Sequence, residues 1–124
     1  MNPTDSENAL TIERHGNISV VEASPVLQTL EPSQADGAAS LVLEPFRTEV
    51  APQVVVDLSR VDSFGSAFLA ILIRLWKLVS TRGGTLVVCG VSPTVRELLR
   101  ITSLDLVWPI YATRSEAMNA LIGD

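Results

Sequence analysis

The fold of this chain can be read from Val54-Val-Val-Asp-Leu-Ser59 and from Phe64-Gly-Ser-Ala-Phe-Leu-Ala-Ile-Leu-Ile73, which follows a few residues later. Valines without polar alternation predict a strand that is covered on both faces. The apolar run predicts a helix over residues 67–81, which Arg82-Gly83-Gly84 ends. The opening turn of such a helix has backbone N–H groups without internal partners and carries the positive end of the helix dipole. Ser66 therefore lies where an anion would be well placed.

The composition is that of one globular domain with one core. Of the 124 residues, 47% are hydrophobic and 19% are charged, which excludes a disordered chain. The net charge of −5 and the lack of a basic cluster argue against nucleic acid as a partner. The longest apolar run, residues 67–73, is too short to cross a membrane, and the acidic start of the chain does not resemble a signal peptide. A single cysteine, Cys89, cannot form an internal disulfide, so we expect a cytoplasmic protein without membrane insertion.

Beyond this stretch, strand patterns alternate with helix patterns. The two-residue turn Gly16-Asn17 predicts an opening hairpin, and the later alternation predicts a mixed β-sheet, parallel in its later strands, with helices packed against it. We expect an α/β domain over residues 9–124 after a frayed or disordered tail at residues 1–8. The predicted strands are 10–15, 18–22, 53–58, 85–89 and 107–111, and the predicted helices are 35–50, 67–81, 93–101 and 117–122. Residues 24–34 are predicted to be a loop, Ser92 to cap the third helix, Thr113 and Glu116 to form a capping box before the fourth, and Pro109 to place the last strand at an edge.

This order and these residues resemble the STAS family, whose type members are bacterial anti-sigma factor antagonists. The family pattern has a strand that ends in Asp-Leu-Ser and a Phe-hydrophobic-Asp-Ser-Ser-Gly-Leu turn into a helix. When the pattern is laid on this chain without gaps, Asp57-Leu58-Ser59 matches the strand end, Ser66 falls on the phosphorylated serine and Leu69 on the leucine that opens the helix. Further matches in register are Trp76-Lys77, Arg82-Gly83-Gly84, Val87-Val88-Cys89, Val91-Ser92-Pro93 and Ser103-Leu104. The resemblance covers nearly the whole chain.

The resemblance implies the STAS fold and a non-enzymatic regulator of transcription. Such a protein binds an anti-sigma factor or serine protein kinase and is switched by phosphorylation, here of Ser66. The chain departs from the family pattern at Gly65, which replaces an aspartate, at Ala67, which replaces the second serine, and at Phe68, which replaces the glycine. Loss of the aspartate relieves repulsion beside a phosphate, but it also removes a group that a kinase could read. The predicted partner-binding surface consists of Asp57, Gly65, Ser66, Ala67, Phe68 and Ile71.

The residues alone leave ordinary structural explanations open. Ser66 could cap the helix, which is compatible with a switch, and Gly65 could serve a turn with positive φ. Phe68 and Ile71 flank the predicted inward stripe of the helix, so they could either extend the surface around Ser66 or pack under a neighbouring element. Asp57 could form an acid–base pair with Asp62, although a turn or cap role is favoured. The predicted inward stripe is Leu69, Leu72, Ile73, Trp76 and Val79.

Two other functions compete with this prediction. An accessory STAS module of a transporter or of a ligand-sensing complex would have the same fold, although the chain has no glycine loop for nucleotide phosphates. A serine hydrolase would use Ser66 as its nucleophile, but Phe64 and Phe68 stand where the nucleophile elbow needs glycine, and His15 would be the sole candidate base. We predict no enzymatic activity, no cofactor and no metal site, and we expect His15 at the surface and Cys89 in the core. The oligomeric state is left open.

Overall fold

Within residues 9–122, five strands form one mixed sheet whose spatial order follows the chain. The structure, a computed structural model, describes residues 9–122, so the predicted tail at residues 1–8 lies outside the described residues. The first two strands are antiparallel, and every later neighbour is parallel, as the sequence predicts. The short fifth strand lies at an edge, which confirms that prediction. The strands are β1 (Leu10–His15), β2 (Ile18–Ala23), β3 (Gln53–Asp57), β4 (Thr85–Cys89) and β5 (Ile110–Tyr111).

In the described part of the chain, four α-helices pack against this sheet, three on one face and one on the other. The helices are α1 (Pro32–Leu43), α2 (Ser66–Thr81), α3 (Pro93–Ile101) and α4 (Arg114–Ile122). Buried residues of α1, α2 and α3 share one cluster with Val54 and Val56 of β3, whereas α4 shares a second cluster with Val55. Strand side chains alternate between the two faces, and helices cover both faces. Val54, Val55 and Val56 are therefore all fully buried, as their lack of polar alternation predicts. None of the helices within residues 9–122 has the length and apolar character that crossing a membrane requires.

The region between β2 and β3 differs from the prediction. Residues 24–34 are not a simple loop, because Pro25–Thr29 forms a 3-10 turn. Helix α1 begins earlier than predicted because Pro32 occupies its first turn and Glu31 forms a capping box with Gln34. It ends at Leu43 rather than at residue 50, since the chain then tightens into the 3-10 turn Glu44–Phe46 around Pro45, which has no N–H to donate.

The last strand and the last helix also differ in extent. β5 begins only at Ile110, because the 3-10 turn Leu104–Leu106 leads into Trp108, whose side chain is buried in the core. The Pro109 carbonyl, just before β5, already accepts a hydrogen bond from Val88 N–H of β4 at 2.9 Å. Helix α4 begins at Arg114 rather than at residue 117. The predicted capping box is confirmed: Glu116 N–H donates to Thr113 Oγ1 at 3.1 Å, and Thr113 N–H donates to Glu116 Oε1 at 3.2 Å.

Candidate functional site

Ser66 lies at the exposed beginning of α2, next to the edge of the sheet where the parallel strands end. It is the first helical residue and not the cap, so the capping role that the sequence left open for Ser66 is wrong. The cap position is Gly65, and within residues 9–122 no side chain caps the helix. The first turn also contains no acidic residue. The first helical hydrogen bond runs from Leu69 N–H to the Gly65 carbonyl at 3.2 Å, so the amides of residues 66–68 point out of the helix beside the Ser66 hydroxyl.

Gly65 is not required by the backbone. Its φ of −97° and ψ of −171° are extended values that any residue adopts, so the explanation by a turn with positive φ is wrong. A Cβ built at this position would have no atom of residues 9–122 within 4 Å, apart from its chain neighbours. The structure would therefore accept a side chain at residue 65, and the consequence of the glycine is that the N-terminal amides of α2 are left uncovered.

Three residues of the predicted partner surface are buried, which corrects their assignment as exposed contacts. Phe68 is 0% exposed, Ile71 1% and Asp57 4%. The rings of Phe64 and Phe68 meet edge to face with centroids 4.8 Å apart, so Phe68 packs under the loop that precedes α2. Gly65 and Ser66 are exposed as expected, and Ala67 is half-buried.

The face that α2 turns inward is rotated from the predicted stripe. The predicted members Leu69, Ile73 and Trp76 are only partly buried. The rotation follows from the packing of α2, which contacts α1 and the preceding loop as well as the sheet. The fully buried positions are Phe68, Ile71, Leu72, Leu75 and Val79.

Asp57, a buried carboxylate, forms an ion pair at the end of β3 with the partly exposed side chain of Arg114. Its Oδ1 accepts a hydrogen bond from Ser59 N–H at 2.9 Å, which confirms the predicted turn role. Its Oδ2 accepts from Arg114 Nε at 2.9 Å, and Arg114 also binds Glu22 at 2.9 Å. Burial alone would raise the pKa of Asp57, but the hydrogen bonds from Ser59 and Arg114 outweigh it and lower that pKa below its usual value. Both carboxylate oxygens are occupied, so the structure does not support an acid–base pair with Asp62.

Arg114 was not identified from the sequence as a partner of Asp57. The capping box places it at the start of α4, but local pattern does not tell which strand end that helix start will face. The neighbouring Cys89 is buried as expected, and burial, with a smaller contribution from the Asp57 charge, raises the pKa of its thiol to about 12. The thiol is therefore protonated at neutral pH and unreactive.

A further set of contacts holds the loop between β3 and α2. Asp62 N–H donates to Gln28 Oε1 at 2.7 Å, and the Asp62 carbonyl accepts from Ser92 Oγ at 2.7 Å. Ser92 caps α3 as predicted, by accepting from Val95 N–H at 3.0 Å. Gln28 had no signal in the sequence, because a lone glutamine in an apparent loop has no characteristic spacing.

His15 cannot serve Ser66 as a base. It ends β1 at the hairpin, and its strand neighbour Ile18 pairs with Gln53, the first residue of β3. Ser66 follows the other end of β3, so the two residues lie at opposite ends of the strands. His15 is exposed as predicted, and its Nε2 lies 3.0 Å from Glu13 Oε1. The structure therefore does not bring together the serine and the histidine that the serine hydrolase interpretation requires.

The comparisons with known proteins agree with this architecture. The family model for the STAS domain matches residues 2–117. An anti-sigma F factor antagonist from Paenibacillus polymyxa is 25% identical over 90% of this chain and 93% of its own length. The solved structure of an anti-sigma-factor antagonist (STAS) domain protein from Planctomyces limnophilus has a TM-score of 0.82 and 31% identity, and the match covers 92% of this chain and 98% of that one. An anti-sigma factor antagonist from Mycobacterium paratuberculosis matches with a TM-score of 0.67 and 28% identity over 90% of this chain and 92% of that one.

The family match spans most of the chain, and the sheet order, the helix positions and the serine at the start of α2 all agree with the resemblance seen in the sequence. The chain belongs to the STAS domain family.

Proposed function

We propose that this chain is an anti-sigma factor antagonist: a non-enzymatic regulator that binds an anti-sigma factor with serine kinase activity and is released when Ser66 is phosphorylated. The names of its relatives support the general role. The observation that carries the proposal is the exposed Ser66 hydroxyl at an uncapped helix N-terminus. The proposal implies a cytoplasmic protein, since sigma factors act there.

The unmodified surface around Ser66 is suited to close contact with another protein. Gly65, Ser66 and Ala67 have small side chains, and none of them is charged. A partner backbone can therefore approach the first turn of α2 closely and meet its outward N–H groups. Binding there would desolvate the Ser66 hydroxyl at low cost, because a neutral hydroxyl finds hydrogen-bond partners more easily than a charge does.

Phosphorylation would change this surface sharply. A phosphate on Ser66 would carry a charge of about −1.5 to −2 at pH 7. The helix dipole and the free amides of residues 66–68 would stabilise it in the isolated protein. A partner that covers the same spot would have to desolvate that charge, so complex formation would lose the advantage that the neutral serine has. The same residue thus tolerates both states in the free protein and only one in the complex.

The test compares Ser66 with a second serine of the same loop. Ser66→Asp should weaken binding to the purified anti-sigma factor at least about a hundredfold, because it places a charge in the contact. Ser63→Asp is a matched control, since Ser63 is also exposed, and it should stay within a few-fold of wild type. Isothermal titration calorimetry with each anti-sigma factor kinase of the source genome measures the affinities.

The covalent step is tested separately. Incubation of the wild-type chain with the bound kinase, ATP and Mg²⁺ should add one phosphate, which peptide mass spectrometry should place on Ser66, and Ser66→Ala should add none. Tight binding by Ser66→Asp, or a phosphate placed on another residue, would contradict the proposed switch.

A further inference from the structure

The loop that carries the proposed switch is joined to its neighbours at Asp62. Both peptide groups of this residue are bonded to side chains: its N–H to Gln28 and its carbonyl to Ser92, each at 2.7 Å. Gln28 belongs to the 3-10 turn after β2, and Ser92 lies between β4 and α3. The β3–α2 loop is thus held from the segments on both of its sides.

Ser92 can make this contact without giving up its role as a cap. A hydroxyl has one proton to donate and two lone pairs that accept, so Ser92 Oγ donates to Asp62 while it accepts from Val95 N–H. The β4–α3 segment also lies directly against the loop. A Cβ built on Gly90, whose φ is +70°, would come within 2.8 Å of Ser59 Cβ, so only glycine permits this approach.

The bonds act on the exposed part of the loop. Val61 and Phe64 are anchored in the core, at 1% and 7% exposure, whereas Asp62 and Ser63 between them are exposed. Phe64 in turn contacts Phe68 of α2. A displacement at Asp62 would therefore pass through Phe64 to the first turn of α2, where Ser66 lies.

We propose that Gln28 and Ser92 are positioning residues that hold the β3–α2 loop in the conformation that presents Ser66 to its partner. This inference rests on the proposed function. A surface that is ordered before binding loses less conformational entropy in the complex, so the two bonds contribute affinity without touching the partner. The side chains themselves need no contact with Ser66.

The order of the loop is tested on the free protein. Gln28→Met keeps the length of the side chain, removes its acceptor and leaves α3 untouched. Ser92→Ala removes the donor to Asp62 together with the cap of α3. In each variant, ¹⁵N relaxation should show the order parameters of residues 63–66 falling from about 0.85 towards 0.6. Gln34→Met, which removes an acceptor of the same kind from the capping box of α1, is the matched control and should leave residues 63–66 unchanged. Ser92→Thr keeps the hydroxyl and should restore the order.

The effect on recognition is measured with the purified anti-sigma factor that binds the wild-type chain. Gln28→Met and Ser92→Ala should each weaken affinity about fivefold, the loss that corresponds to one hydrogen bond, and Ser92→Thr should recover it. Unchanged order parameters, or a disordered loop with unchanged affinity, would overturn the inference. Failure of the wild-type chain to bind any anti-sigma factor would instead contradict the proposed function, and the relaxation data would still decide whether these bonds order the loop.

Discussion

Gly65 is the residue at which this chain differs most informatively from its family pattern. A glycine in a turn usually indicates positive φ, and that expectation was wrong here because the residue is extended and a Cβ built on it would meet open space. The aspartate of the family pattern would fit this position without strain. What the glycine changes is the electrostatics of the helix start, where outward N–H groups are left without a side-chain acceptor.

Restoring the carboxylate should therefore stabilise the fold. Gly65→Asp is expected to raise the free energy of unfolding by about 0.5–1 kcal/mol, through a side-chain cap and attraction to the helix dipole. Gly65→Asn has the same shape without the charge and should give a smaller gain, and the difference between the two should shrink with added salt. Urea denaturation measures the free energy of unfolding of the wild-type chain and of the Asp, Asn and Ala variants at residue 65. Equal stability of the Asp, Asn and Ala variants would show that the helix start is already satisfied.

Helix α2 illustrates what periodicity does and does not determine. Its sequence predicts a helix of nearly the observed length, yet it is apolar around most of its circumference, so pattern alone could not fix which side faces inward. Packing against α1 and the preceding loop determines which side of α2 faces inward, and it buries Phe68 and Ile71. The helix could thus be predicted from the sequence, but the assignment of Phe68 and Ile71 to the partner-binding surface was wrong.

The burial of Phe68 leads to a measurable cost. Phe68→Ala should lower the free energy of unfolding by about 3–5 kcal/mol, because it removes a fully buried ring and leaves a cavity beside Phe64. Leu69→Ala, one residue further along and only partly buried, should cost clearly less. Urea denaturation measures both. A loss of unfolding free energy below about 1 kcal/mol for Phe68→Ala would show that the ring is not buried in the core.

Other elements were predictable to the extent that their signals are local. β1, β4 and α3 have the predicted bounds, since alternation, a turn and the Ser92 cap each act within a few residues. The ends of α1 and β5 were not predictable in the same way. Pro45 indicates that α-helical hydrogen bonding stops, but not that the chain continues as a 3-10 turn that buries Phe46. Similarly, the apolar run 107–111 does not show that Trp108 is buried in the core and that β5 begins only after it.

At the level of the whole molecule, the Asp57–Arg114 pair joins α4 to the strand that leads into the proposed switch. The two residues are 57 positions apart, and no local pattern links them. Asp57 also accepts from Ser59 N–H, the first turn of the β3–α2 loop. Chain order and motif spacing could therefore predict where Ser66 lies, but the contacts that support the loop, from Arg114, Gln28 and Ser92, arise only when distant segments fold together.

This ion pair should give the fold a defined dependence on pH. The pKa of Asp57 is lower in the folded protein than in the unfolded chain, where it is about 3.9. The carboxylate therefore contributes stability above about pH 4, and this contribution is lost as the pH falls through the folded pKa.

Asp57→Asn should lower the free energy of unfolding by about 2 kcal/mol at pH 7 and by progressively less below pH 4. Arg114→Met should behave similarly, because a buried carboxylate without its cation is relieved by protonation. Urea denaturation between pH 7 and pH 3 measures these differences, and a difference that stays constant over this range would show that the pair does not stabilise the fold through its charge.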